Sequence, residues 1–150
     1  MVFTHCACKG RLFFWRKNRT MQNKKEPILF EKECYRIIGL CMKVHSKMGR
    51  AYKEVVYKDA LEIEFKRNNI PYEREKKFKV FYDGIQLRRQ FIADFVVYGS
   101  IILEIKSRSA LTDDCISQTL NYVKVANLQL GLVITFGAPS LLFKRVILTA

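Results

Sequence analysis

No glycine-rich loop able to cradle phosphate occurs in this chain, nor a dinucleotide-binding fingerprint, nor a nucleophile–base pair, so a small-molecule enzyme finds no support in it. The five cysteines, at positions 6, 8, 34, 41 and 115, include no CxxC pair and no histidine partners at zinc-ligand spacing. They read as reduced thiols of a cytoplasmic protein. No apolar run approaches the roughly 18 residues of a membrane span, and Leu12-Phe13-Phe14-Trp15 is too short for a signal-peptide core; no membrane partner is expected. Acids are scarce as well, 14 against 27 Lys and Arg, leaving a formal charge of +13.

That excess points to a polyanionic partner, nucleic acid ahead of an anionic membrane. It is unevenly spread. Residues 1–25 hold seven Lys or Arg and no acid, while residues 26–150 hold 20 bases against 14 acids, a net of +6. Residues 1–25 show no helical or strand periodicity, and a polar Gln-Asn-Lys-Lys-Glu follows Met21. The expectation is a disordered basic extension, or an upstream start before the true one at Met21, with a basic nucleic-acid tail as the alternative. Residues 26–150 are long enough to bury a core and are expected to form a single domain.

Within that domain two helical patterns come first. Glu31 to Met48 places Tyr35, Ile38, Cys41 or Met42, and His45 on one stripe, with Gly49 set to end it. Tyr52 to Asn68 has Val56, Ala60 and Ile63 on one face and Tyr57, Leu61 and Phe65 on the next, and Asn68-Asn69-Ile70-Pro71 stops it. Strand patterns follow: Phe78 to Tyr82, an Asp83-Gly84 hairpin turn, a return strand Ile85 to Tyr98 with a polar, exposed or bulged middle at Gln86 to Gln90, and Ile101 to Lys106. Thr112 is a good N-cap for a helix to about Ala126, with Ile116, Leu120 or Thr119, and Val123 facing the core. Leu130 to Phe136 reads as a buried strand and Phe143 to Leu148 as an edge strand.

The chemistry concentrates where two apolar strands carry charge. Phe91 to Val97 holds Asp94, and Ile101 to Lys106 holds Glu104 and Lys106, at positions that should be core. An ionised carboxylate there is costly unless it is paired or holds a metal. Strand alternation sets Glu104 and Lys106 on one face, roughly 7 Å apart. A two-residue Gly99-Ser100 turn would put Asp94 opposite Ile105; a three-residue loop, Tyr98-Gly99-Ser100 with Gly99 or Ser100 left-handed, puts it across from Glu104. The odd loop is the one expected here, and a purely structural ion pair of Lys106 with either acid is the alternative. Glu54 sits where an apolar residue would be expected, on one stripe with Tyr57 and Leu61 or paired with Lys58 at i+4. Gln118 and Tyr122 form another i, i+4 pair, and Arg88, Arg89, Lys106, Arg108 and Lys144 are candidates to track a phosphate backbone.

Asp94, nine intervening residues and Glu104-Ile105-Lys106 resemble the active-site motif of the PD-(D/E)xK nuclease superfamily. More closely still, Ala51-Tyr52-Lys53-Glu54-Val55-Val56-Tyr57 is similar to the name-giving motif of its GxxExxY proteins, with Ala51 where that family has glycine. Gln118-Thr119-Leu120-Asn121-Tyr122, Gly131 to Gly137 and Lys144-Arg145-Val146 follow in the family's order, so the resemblance spans about residues 28 to 148. It implies an α/β (α+β) restriction-endonuclease-like α-β-β-β-α-β core with a mixed central sheet flanked by helices. The implied activity is metal-dependent hydrolysis of nucleic acid, DNA before RNA; the alternative is an inactive nuclease-fold module that binds nucleic acid or a protein partner. Carried over, Asp94 and Glu104 are ligands of Mg²⁺ or Mn²⁺, the Ile105 carbonyl a third and Glu54 an extra one, while Lys106 orients water or steadies developing charge. Gln118 and Tyr122 resemble a substrate-bordering QxxxY pair, and the Tyr57 hydroxyl is a further candidate for substrate contact. By analogy with small nucleases, a homodimer is implied.

Overall fold

A computed structural model describes residues 28–149. The expectations for residues 1–25 and for the Met21 start lie outside the described residues. In chain order the elements are α1 (Glu31–Met48), α2 (Glu54–Arg67), β1 (Tyr72–Tyr82), β2 (Ile85–Val97), β3 (Ile101–Lys106), α3 (Asp113–Val125), β4 (Leu130–Thr135) and β5 (Leu142–Ile147). The five strands form one mixed sheet in the order β1-β2-β3-β4-β5. Only β3 and β4 run parallel, joined by α3 as the crossover helix, and every other neighbour is antiparallel. This is the α+β architecture expected, a sheet flanked by helices.

Local chemistry explains the boundaries. Gly49 ends α1 at φ 71°, its N–H donating to the His45 carbonyl. Asn69 takes φ 52° after α2, and Pro71 then prevents any continuation. The Thr112 hydroxyl accepts from the Cys115 N–H at the start of α3, where Asp113 and Asp114 complement the helix dipole. Asp83 and Gly84, both left-handed, close the β1–β2 hairpin with Tyr82 opposite Ile85.

Against one face of β2, β3 and β4, α1 and α2 pack Cys34, Ile37, Cys41, Val44, Tyr57, Leu61 and Phe65. On the other face α3 packs through Val123 and Cys115. The buried stripe of α1 is therefore displaced from the expected one: Tyr35 is 81% exposed and Met42 46%. In α2 the Tyr57, Leu61, Phe65 face is the inner one, while Ile63 turns outward. Both helices have apolar residues on more than one face, and only the sheet selects which face is covered. Lys43 joins the helices by a 2.7 Å ion pair to buried Glu64, whose carboxyl it holds below the usual range.

Candidate active site

The β2–β3 hairpin pairs Val97 with Ile101, Val96 with Ile102 and Phe95 with Leu103. Its loop is thus the three-residue Tyr98-Gly99-Ser100, and the same register sets Asp94 across from Glu104. The left-handed residues are Tyr98 (φ 55°) and Gly99 (φ 65°), so Gly99 is left-handed as expected and Tyr98, which was not expected to be, takes the same strained conformation. The Tyr98 N–H donates to the Pro71 carbonyl at 2.9 Å, which holds it there.

Beyond Phe95 and Leu103 the ladder stops and carboxylates replace backbone. The Ile105 N–H donates to Asp94 Oδ2 at 2.8 Å, and the Asp94 N–H donates to Glu104 Oε1 at 3.2 Å. On the far side β1 skips the same position: Glu75, opposite Asp94, sits at φ 52° and outside the paired register. The distortion changes the strand's facing. Ala93 packs on the α3 side with Val96, whereas Phe95 and Val97 pack under α1 and α2. Because a strand residue's N–H and C=O point the same way, the Ile105 carbonyl also faces this opened seam.

Glu104 is 3% exposed. Burial pushes its carboxyl up to about 8, and the Asp94 charge pushes in the same direction; Lys106, the Asp94 amide and Lys58 pull it back by less. Lys106 Nζ lies 3.8 Å from Glu104 Oε2 and donates to Gln118 Oε1 at 3.0 Å, and Gln118 in turn reaches the Tyr122 hydroxyl at 3.5 Å. Desolvation raises the Tyr122 phenol, with the Glu104 and Asp94 charges adding to it. The lysine and the Gln118/Tyr122 pair, read separately from the sequence, thus form one chain of polar contacts leading from the acids to α3.

Glu54, at the first turn of α2, accepts from the Ser107 N–H at 3.4 Å. With Lys106, Arg108, Asp114, Cys115 and Gln118 it lines a cleft of about 560 Å³. The loop after β3 that floors this cleft is held by the Thr135 hydroxyl donating to the Arg108 carbonyl. Gly137 lies so close that a Cβ there would stand 2.1 Å from the Ser107 carbonyl oxygen. The structure therefore brings Asp94, Glu104, Lys106, Gln118 and Tyr122 together, with Glu54 on the adjoining wall. Among the described residues no group of three or more His, Cys, Asp or Glu side chains converges as a metal cage.

Tyr57 is not brought to the site. It is fully buried, donates to the Gly49 carbonyl at 2.6 Å, accepts from the Tyr52 N–H at 3.3 Å and stacks on Phe136 at 4.4 Å between ring centroids. The phenol expected to touch substrate is instead a core residue tying the α1–α2 connection to the sheet. His45 packs on Phe136 and pairs with the Ala138 carbonyl, also structurally. Sequence reasoning gave Lys58 no role beyond a pair with Glu54. Its ammonium binds Asp94 Oδ1 at 3.0 Å and Glu75 Oε1 at 3.2 Å. Burial works against its charge, but the bonds to Asp94 and Glu75 outweigh that and hold the amine above its ordinary range. Its i+4 spacing from Glu54 was the available signal; it placed Lys58 toward the site but could not choose between partners.

Asp94 and Glu104 bring hard carboxylate oxygens to one seam, the donor chemistry that divalent cations take. Comparison with curated proteins finds no match. A solved structure titled "Crystal structure of SSO0001" is similar over 89% of this chain and 73% of its own, at 15% identity and a TM-score of 0.48. The family model described as PD-(D/E)XK nuclease superfamily matches residues 31–146, and the chain therefore belongs to the PD-(D/E)XK nuclease superfamily.

Proposed function

We propose that this protein hydrolyses phosphodiester bonds of DNA with the help of Mg²⁺ or Mn²⁺, and that within its superfamily it is a GxxExxY protein. The observation that carries the reading is the meeting of Asp94 and Glu104 across an opened strand pair with Lys106 beside them. Asp94 and Glu104 would hold the cation, with the Ile105 carbonyl facing the same seam and Glu54 on the cleft wall as the outer ligand. Such an ion, when bound, lowers the pKa of water and neutralises charge building on the phosphate and leaving oxygen. Lys106 orients the attacking water and steadies the developing negative charge, its ammonium aimed by Gln118. Gln118 and Tyr122 border the substrate strand, and Arg108 at the cleft attracts its phosphates.

Membership of the GxxExxY group rests on Glu54 at the cleft, the linked Lys106-Gln118-Tyr122 contacts and the ordered motifs. Ala51 in place of glycine touches none of the acidic members. Buried, unpaired thiols at Cys34, Cys41 and Cys115 accord with a reducing cytoplasm. Cutting both strands of a duplex would use two copies, one per strand.

The test is Mg²⁺- or Mn²⁺-dependent cleavage of plasmid and single-stranded DNA, with Glu104→Ala and Lys106→Ala as controls. Loss of cutting in both controls is expected. Cutting that survives both would remove this site. The competing reading, a module that binds without cutting, draws on Lys58 already filling a cation position at Asp94; salt-sensitive DNA binding by a wild-type protein that never cuts would establish it.

A further inference from the structure

The distal part of the β1–β2 hairpin belongs neither to the core nor to the cleft. Every residue from Phe81 to Gln90 is exposed. Ile85 and Phe91 are six residues apart, so the tip extends about 20 Å beyond the last half-buried pair, Phe78 opposite Phe91. Its stem carries Lys76, Lys77, Lys79, Arg88 and Arg89 against the single acid Asp83. Lys76 is paired with Glu73, but Lys77, Lys79, Arg88 and Arg89 have no carboxylate partner among the described residues. The tip is apolar: Tyr82 is 74% exposed, Ile85 70% and Phe81 60%. Tyr82 and Ile85 are directly paired and share one face, while Phe81, paired with Gln86, lies on the other. Leu87 to Arg89 stand opposite Val80 alone, where the register shifts, and both arginines of this irregular stretch are exposed.

Solvent alone does not favour three large apolar side chains at the end of a two-stranded ribbon. A second copy of the same hairpin, with the same excess of positive charge, would be repelled. We propose that the hairpin grips a nucleic acid strand beside the cleft, its basic stem on the phosphates and its aromatic tip, Phe81 on one face and Tyr82 on the other, offering a stacking surface to an unpaired base whichever face the strand follows. Stacking on exposed aromatics tolerates any base but needs bases that are not already stacked in a duplex, so the preferred ligand is a single-stranded segment. The hairpin is continuous with the site: β2 runs from the tip through Phe91, which meets Tyr122 edge-on at 5.4 Å between ring centroids, to Asp94. A strand held along it would lead to the acids. This inference rests on the nuclease reading and adds to it the form of the substrate and a second contact surface.

The full chain in EDTA, unable to cut, is titrated into a labelled single-stranded oligonucleotide and into a blunt duplex of the same sequence, with binding read by fluorescence anisotropy over a range of salt. The triple variant Lys79→Ala, Arg88→Ala, Arg89→Ala should bind the single strand at least about 10-fold more weakly, with the log–log salt slope reduced by about 2. The double variant Phe81→Ser, Tyr82→Ser should lose roughly 5- to 100-fold on the single strand and little on the duplex, with its salt slope unchanged. If both variants bind the single strand as tightly as wild type while Mg²⁺-dependent cleavage persists, the hairpin proposal falls and the nuclease reading stands. Equal losses on strand and duplex in the double variant would overturn stacking on unpaired bases. A wild-type protein that neither binds nor cuts nucleic acid overturns both readings.

Discussion

The metal-free protein should lose stability as pH rises from 4.5 to about 8, and Glu104 is the reason. Its carboxyl is buried beside the Asp94 charge, with only Lys106 at 3.8 Å and weaker contributions to compensate, and it titrates near 8 instead of 4.5. Across that window the folded protein keeps a proton that the unfolded chain has released. The stabilisation from protonation is complete below 4.5, shrinks through the window and is gone above about 8. Each pH unit carries about 1.4 kcal/mol, so the whole excursion is about 5 kcal/mol at most, and relaxation around the new charge reduces it to a few. Against a total stability of about 5–15 kcal/mol this is a visible fraction. Thermal unfolding in EDTA should show the wild-type midpoint falling by roughly 10 °C across the window. Glu104→Gln, which fills the same space with nothing to titrate, should show a much flatter curve. Adding Mg²⁺ should raise the wild-type midpoint most at the alkaline end and barely move Glu104→Gln. Parallel curves for the two proteins would refute the assignment of the buried proton to Glu104, and equal stabilisation of both by Mg²⁺ would remove that residue from the cation site.

Tyr57→Phe should leave cleavage rates unchanged while lowering stability by about 1 kcal/mol through the lost bond to Gly49, whereas Tyr122→Phe should reduce cleavage with little change in the unfolding midpoint; a nuclease assay beside thermal denaturation separates the two. Gly137→Ala drives a methyl into the Ser107 and Arg108 backbone, which has no flexible end to yield, so both the fold and the loop under the cleft should suffer, with the loss read as poor soluble yield and a depressed denaturation midpoint. Thr112→Ala removes the acceptor for the Cys115 N–H and should cost about 1 kcal/mol in urea unfolding. Lys58→Met should destabilise the EDTA-treated protein by leaving Asp94 and Glu104 facing each other with less cation, and Mg²⁺ should recover most of that loss in calorimetry.

Local signals in the chain sufficed for the order of elements, because caps and turns act within a few residues: Thr112, Gly49, Asn69 and Asp83-Gly84 each do in space what their chemistry requires. Charge in apolar strands singled out Asp94, Glu104 and Lys106, which the fold brings together, since only a compensating partner or ion lets them remain there. The odd-numbered loop was legible too, although Tyr98 as a left-handed residue was not; its conformation depends on the Pro71 carbonyl far back in the chain. Which helix face turned inward, whether Tyr57 met substrate or the core, and which acid Lys58 chose were open in the sequence. Each depends on what a second element places opposite, and periodicity along one segment carries no information about that neighbour.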